Sequence, residues 1–231
     1  MTTLAQTRSA APLRFTSAHQ VAEHIRRMIF ERQLEAGDRV PQDEIAAHLG
    51  VSRVPVREAV IALASEGWLA AEPHRGAFVI GLDENSTYDH FELIGMFYGF
   101  CARRAVERGS DEQIAQLAEV NKALQKTSDP DELWDCNNVF LRHLVLAAGS
   151  RRVVSMARVI TGSIIPGNYF AEVPGSDRIH KRGMRAVMHA IAIRAGETAE
   201  REFAHLFHTE ADHVVELLSA RGFFSPAKDD K

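Results

Sequence analysis

Apolar and polar positions follow two different rhythms along this chain. From about Ser86 onward the apolar residues recur at three- and four-residue spacing with no strand alternation, and that period belongs to helices. It predicts helices near residues 86–108, 111–127, 131–149, 151–171, 176–195 and 198–221. The breaks are Gly109-Ser110, Asp129-Pro130, Gly149-Ser150, Pro174-Gly175 and Gly196-Glu197, and Pro166-Gly167 should kink or split the fourth helix. Phe203, Leu206, Phe207, Val214, Leu217 and Leu218 give the last helix a packing face. Before residue 81 the pattern is mixed. A short helix with Ile45 and Leu49 on one face precedes a second with Val56, Val60 and Leu63. Two short strands follow, Trp68–Glu72 and Ala77–Ile80, around the turn residues Pro73-His74-Arg75-Gly76.

These elements predict a mainly α chain in two parts. The N-terminal part is a winged helix-turn-helix with a small two-stranded wing, and the C-terminal part is an all-α antiparallel bundle. The expected boundaries are a disordered tail at 1–15, the winged helix at 16–81, a linker at 82–86, the bundle at 87–222 and a tail at 223–231.

The start of the second short helix carries the most specific chemistry. Gly50 ends the preceding helix and Ser52 is a good N-cap, expected to accept from the Val54 N–H. Pro55 falls in the first turn, where its missing N–H costs nothing. Val51 and Val56 fit a hydrophobic staple. Arg53 and Arg57 are four apart, so they share a face away from Val56, Val60 and Leu63. Two guanidinium groups at a rigidly held helix start suit phosphate contacts and bidentate reading of guanine. The bland alternative for these arginines is surface pairing with Glu58 or a similar acid.

Several separated motifs occur in one order: Gly37-Asp38-Arg39-Val40-Pro41, Glu44-Ile45-Ala46, Leu49 through Ala59, Glu66-Gly67 and Arg75-Gly76. In these the chain resembles the N-terminal domain of GntR-type bacterial transcription regulators over about residues 16–81. The resemblance implies DNA contacts from Ser52, Arg53, Val54 and Arg57 on the recognition helix and from His74, Arg75 and Gly76 on the wing. It also implies a ligand-responsive regulator, a repressor, that binds a palindromic double-stranded operator as a homodimer. One position departs. Asp43 stands where such proteins often carry a basic residue, and an acid there repels phosphate.

Composition changes the picture only at the edges. With 231 residues, 45% hydrophobic and 25% charged, the chain has the balance of a globular protein. The net charge is −4, and residues 1–80 hold nine arginines against nine acids. Any attraction for DNA is therefore local to the recognition face, and a nonspecific nucleoid-coating role, which wants a basic chain, is disfavoured. Cys101 and Cys136 lie far apart in helical patterns, as in a reduced cytoplasmic protein. There is no long apolar run and no signal-peptide pattern, so no membrane partner is expected.

The second half resembles the FCD branch of the same family, through Phe140–Ser150, Ala192–Glu197 and His208. That likeness implies an effector-binding bundle, and many members hold a divalent metal there with an Asp and a His four apart plus two later His. In this chain the Asp and first His positions are Asn137 and Leu141, and the second His position falls near Ala186. Only His208 matches. An Arg and a Glu frequent in the first helix of that domain are replaced by Ile94 and Tyr98. Leucine cannot ligate a metal and asparagine offers a neutral oxygen, so the expectation is no metal and no cofactor. The expected effector pocket is Ile94, Tyr98, Asn137, Leu141, His189 and His208, taking a largely apolar small molecule. Two alternatives stay open: a rebuilt metal site from His189, His208 and Asn137, and a metal-dependent enzyme built on the histidine-rich last helices. Against the enzyme, the sequence holds no phosphate loop, nucleophile motif or His-Glu-x-x-His pair.

Overall fold

Buried residues at helical spacing on three short helices build the first layer of the molecule. In a computed structural model of the chain, which describes residues 17–160 and 164–224, α1 (Ser17–Phe30) buries Val21, Ala22, Ile25 and Ile29. They pack against Ile45 and Ala46 of α2 (Gln42–Leu49) and Val56, Ala59, Val60 and Leu63 of α3 (Arg53–Ser65). Gly50 ends α2 in the left-handed conformation at φ 64°, which turns the chain into α3. Strands β1 (Leu69–Glu72) and β2 (Gly76–Val79) pair antiparallel, Leu69 opposite Val79 and Glu72 opposite Gly76. The stretch before α2 lies along the free edge of β2, with Val40 N donating to Ala77 O and Val79 N to Asp38 O, each at 2.9 Å. The sequence pattern alone did not anticipate this third strand-like edge.

The bundle follows as α4 (Glu84–Arg108), α5 (Asp111–Lys126), α6 (Pro130–Ala147), α7 (Arg151–Ile160), α8 (Tyr169–Glu172), α9 (Ser176–Ala192) and α10 (Gly196–Ala220). The fourth expected helix is split: α7 and α8 lie on either side of Pro166-Gly167. The expected linker at 82–86 is shorter than predicted. Asp83 and Ser86 form a reciprocal capping box that starts α4 at Glu84. Long helices α4 and α10 pack closely because Gly95 and Gly99 face them together. A Cβ at Gly99 would lie 2.8 Å from the Glu200 carbonyl oxygen. The core runs through Tyr98, Leu117, Leu133, Phe140, Leu144, Met184, Ile191, Phe203 and Leu218.

The two parts touch at two places along α1. Arg27 Nη1 donates to Glu172 Oε1 of α8 at 3.2 Å, and Gly167 N donates to Glu23 Oε2 at 3.3 Å. At the far end of α1 the Phe30 ring meets Phe223 at 6.1 Å, and Arg221 lies over Phe30 at 4.4 Å. Residue 223 was expected to begin a tail, yet its ring is packed here. The rest of that expectation, 225–231, and the expected tail at 1–15 lie outside the described residues.

Candidate functional site

Helix α3 presents its charged end outward because its inner face is fixed. Val56 and Leu63 are buried, and Val51 before the helix packs on the same core, as the staple expectation requires. Ser52 has the extended backbone of an N-cap, but its side chain accepts no capping hydrogen bond. The expected bond to the Val54 N–H is therefore not made. The first-turn N–H groups donate no bond to the Ser52 side chain and sit at the positive end of the helix dipole. An anion is the natural occupant of such a helix start.

Arg53 Nε lies 2.9 Å from Asp43 Oδ1, with the two side chains 83% and 73% exposed. Such a surface pair holds about 0.2–1 kcal/mol and gives way readily to a phosphate. Thus Asp43 screens Arg53 rather than standing alone. Arg57 and Val54 are exposed, and the Arg57 guanidinium makes no ion pair among the described residues. The structure brings Ser52, Arg53, Val54 and Arg57 to one projecting surface.

The wing is a tight turn whose geometry its residues explain. His74 and Gly76 have positive φ of 64° and 112°. His74 and Arg75 are exposed; Arg75 pairs with Glu72 and stacks over Phe78 at 5.5 Å. A Cβ at Gly76 would lie 2.9 Å from Arg39 Nε, so the glycine lets Arg39 lie across the wing. Arg39 is exposed and adds a cation that the sequence reading quoted only as part of a motif. Of the adjacent arginines Arg26 and Arg27, only the second is substantially exposed. Arg26 is buried, bridging Glu23 to Glu66, the C-cap residue of α3.

Inside the bundle the expected pocket residues separate. Tyr98 is core, stacked on Phe207 at 6.0 Å, and burial pushes its hydroxyl far above the usual tyrosine range. Ile94 and Leu141 are partly buried against the same core. Asn137 is buried in a polar cluster. His189 and His208 do not join it. Helix phase puts Met184, Val187, Met188 and Ile191 of α9 inward and His189 outward. On α10 Phe203, Leu206, Phe207 and Glu210 face inward while His208 faces out, 3.5 Å from Glu92 Oε1 and beside Tyr88. The expected pocket, and the rebuilt metal site with it, is corrected on this point.

The residues that do meet Asn137 went unselected in the sequence. His180 Nε2 lies 3.0 Å from Asn137 Oδ1, and its Nδ1 lies 2.8 Å from Glu210 Oε1. His180 and Glu210 are each 3% exposed and Asn137 8%. With an oxygen beside each ring nitrogen, the His180 ring is held between two buried polar partners, each of which is costly to lose. Phe170 of α8 packs edge-on against the His180 ring at 4.9 Å. Beside it Tyr169, 8% exposed, has a buried hydroxyl with no hydrogen-bond partner. Burial, and then the Glu210 carboxylate, push that hydroxyl far above the usual tyrosine range, so it stays a neutral donor. Metal chemistry does not fit this donor set: both His180 nitrogens are already engaged, Asn137 is neutral and Leu141 has no donor atom. Among the described residues no three His, Cys, Asp or Glu side chains converge as a metal site would require.

Comparison with known proteins gives this geometry a family. The profile of "Bacterial regulatory proteins, gntR family" matches residues 17–79, and that of the FCD domain matches residues 89–209. An uncharacterized HTH-type transcriptional regulator of Mycobacterium tuberculosis is 35% identical over 117 residues, 51% of this chain and 48% of that protein. The gluconate operon transcriptional repressor of Bacillus subtilis is 29% identical over 140 residues, 59% of this chain and 57% of that one. The match thus spans about half the length of these curated relatives. Among solved structures, E. coli McbR/YncC is similar in fold at a TM-score of 0.62 and 20% identity, covering 88% of this chain and 99% of that one. Winged helix and bundle together, the chain belongs to the GntR family of bacterial regulatory proteins and carries the FCD domain.

Proposed function

We propose that this chain is a ligand-responsive DNA-binding regulator, a repressor, which leaves a palindromic operator when a small molecule enters the bundle. The observation that carries the reading is the projecting start of α3. Arg57 is exposed and unpaired among the described residues, Arg53 is held only by a weak surface pair, and the first-turn N–H groups lack a side-chain acceptor. Arg57 is the residue for bidentate base reading, Arg53 and the N–H groups for phosphate, Val54 for a thymine methyl, and His74, Arg75 and Gly76 for the adjoining backbone or minor groove. Double-stranded DNA is the partner, in the cytoplasm. A homodimer sets two such helices one helical turn apart. The exposed Leu93 and Met96 on α4 supply apolar surface for pairing.

The effector we infer is uncharged and largely apolar. Ile94 and Leu141, partly buried against the bundle core, offer an incoming molecule apolar surface and no charge to pair with. No enzymatic role is proposed.

Fluorescence anisotropy with a labelled palindromic fragment and a scrambled control, over 50–200 mM salt, tests the reading. Specific binding should exceed scrambled binding by about 1,000-fold or more. It should weaken about 1,000-fold across that salt range, as roughly six phosphate contacts require. Equal affinity for both fragments at every salt concentration would overturn it.

A further inference from the structure

The short helix α8 touches both the buried polar cluster and the DNA-binding part of the chain. Its inner face carries Phe170, against the His180 ring at 4.9 Å, and Tyr169, whose buried hydroxyl has no partner. Glu172, the last residue of α8, lies 3.2 Å from Arg27 of α1. The turn leading into it donates the Gly167 N–H to Glu23 at 3.3 Å. Beyond α1 the line continues. Glu23 also pairs with Arg26, and buried Arg26 pairs with Glu66 at the C-cap of recognition helix α3.

We propose that α8 is a latch that ties the packing of the Asn137–His180–Glu210 cluster to the placement of the DNA-binding domain, with Arg27 and Glu172 as its positioning residues. This rests on the regulatory reading above and names the path of that regulation. A ligand that takes the Tyr169 hydroxyl or displaces the Phe170 ring must shift α8, because both side chains belong to it. The shift breaks the Arg27 and Glu23 contacts, while Phe30 stays held by Phe223 and Arg221 at the other end of α1. The domain then pivots about that end. Through Arg26 the motion reaches α3. The Arg27–Glu172 side chains are 44% and 27% exposed, so their pair is a weak tie, which a latch must be if a ligand is to open it. Losing it should change the docked-to-undocked ratio about two- to fivefold.

Hydrogen–deuterium exchange on the full chain, without DNA, tests the latch. Four proteins are compared: unmutated, His180→Gln, the Arg27→Gln/Glu172→Gln pair, and the triple combination. His180→Gln removes the ring under Phe170. It should speed exchange about two- to fivefold in residues 168–173 and also in residues 23–30. In the pair background, residues 23–30 should already exchange faster, and adding His180→Gln should change them no further. Acceleration of 168–173 with no change at 23–30 in the single variant would overturn the proposal, as would fully additive effects at 23–30. If circular dichroism shows His180→Gln unfolded, Phe170→Leu removes the same contact from the α8 side and is judged by the same two outcomes. DNA plays no part in this readout, so operator binding of the unmutated protein reports separately on the regulatory reading.

Discussion

The two polar regions of this molecule treat their charges in opposite ways. At the start of α3 and on the wing, Arg53, Arg57 and Arg75 stand in solvent on a backbone fixed by buried Val56, Ala59, Val60 and Leu63. In the bundle, Asn137, His180 and Glu210 are withdrawn from water and satisfy one another at 2.8 and 3.0 Å. On the proposed reading the exposed set meets a rigid polyanion, for which Arg57 is unpaired among the described residues and Arg53 and Arg75 are held only by surface pairs. The buried set is a closed network, in which disturbing any one partner is costly. One surface is ready in advance, and one interior is held shut.

The first way to break this contrast is to remove one member of the buried pair. His180→Leu leaves the Glu210 carboxylate without its partner at 3% exposure, and should cost about 3–5 kcal/mol of stability in chemical denaturation. Glu210→Leu added to it should restore most of that loss. If the single variant is as stable as the unmutated protein, the cluster is not the closed hydrogen-bonded network described. Next in size is Gly99→Ala, whose Cβ would sit 2.8 Å from the Glu200 carbonyl. Forcing α4 and α10 apart should cost about 1–3 kcal/mol. A calorimetric Tm within a degree of the unmutated protein would show that the helices slide freely.

Tyr169→Phe sharpens the contrast from the other side. Deleting a buried hydroxyl that has no partner should stabilise the ligand-free protein by about 1 kcal/mol. A loss of stability instead would mean that the hydroxyl is bonded to solvent or ligand in solution. The smallest effect separates two helix starts. Asp83 accepts the Ser86 N–H at 2.9 Å, so Asp83→Ala should cost about 1 kcal/mol. Ser52 makes no side-chain cap bond, so Ser52→Ala should leave stability within about 0.5 kcal/mol. Equal costs in thermal unfolding would place a cap at Ser52 after all.

What could be read in the sequence follows the same division. Helix α3 was legible because its determinants are local: Gly50 stops one helix, Val51 and Val56 flank the start of the next and pack on one core, and Arg53 and Arg57 share a face by spacing alone. Helix ends at Asp129-Pro130 and Gly196 were legible for the same reason. The buried cluster was not, since residues 137, 180 and 210 lie on three helices and meet only through packing. Its one available signal was phase: on α9 His180 shares the face of Met184, Val187 and Ile191, and on α10 Glu210 shares that of Phe203, Phe207 and Val214. An acid and a histidine on apolar faces are the residues to pair. Reading His189 and His208 into the pocket ignored that phase. The capping failure at Ser52 was invisible for another reason, because residue type licenses a cap but does not decide the rotamer.

The central claim is that α3 reads DNA through Arg57. Its most direct test is the affinity of Arg57→Ala for the palindromic fragment and for scrambled DNA at one fixed salt concentration. An arginine–guanine pair is worth about 1–3 kcal/mol, and a dimer has two, so specific binding should weaken by roughly 2–6 kcal/mol. Scrambled binding should fall far less, and circular dichroism should be unchanged, since Arg57 is exposed. Specific affinity within twofold of the unmutated protein, with the fold intact, would contradict the account.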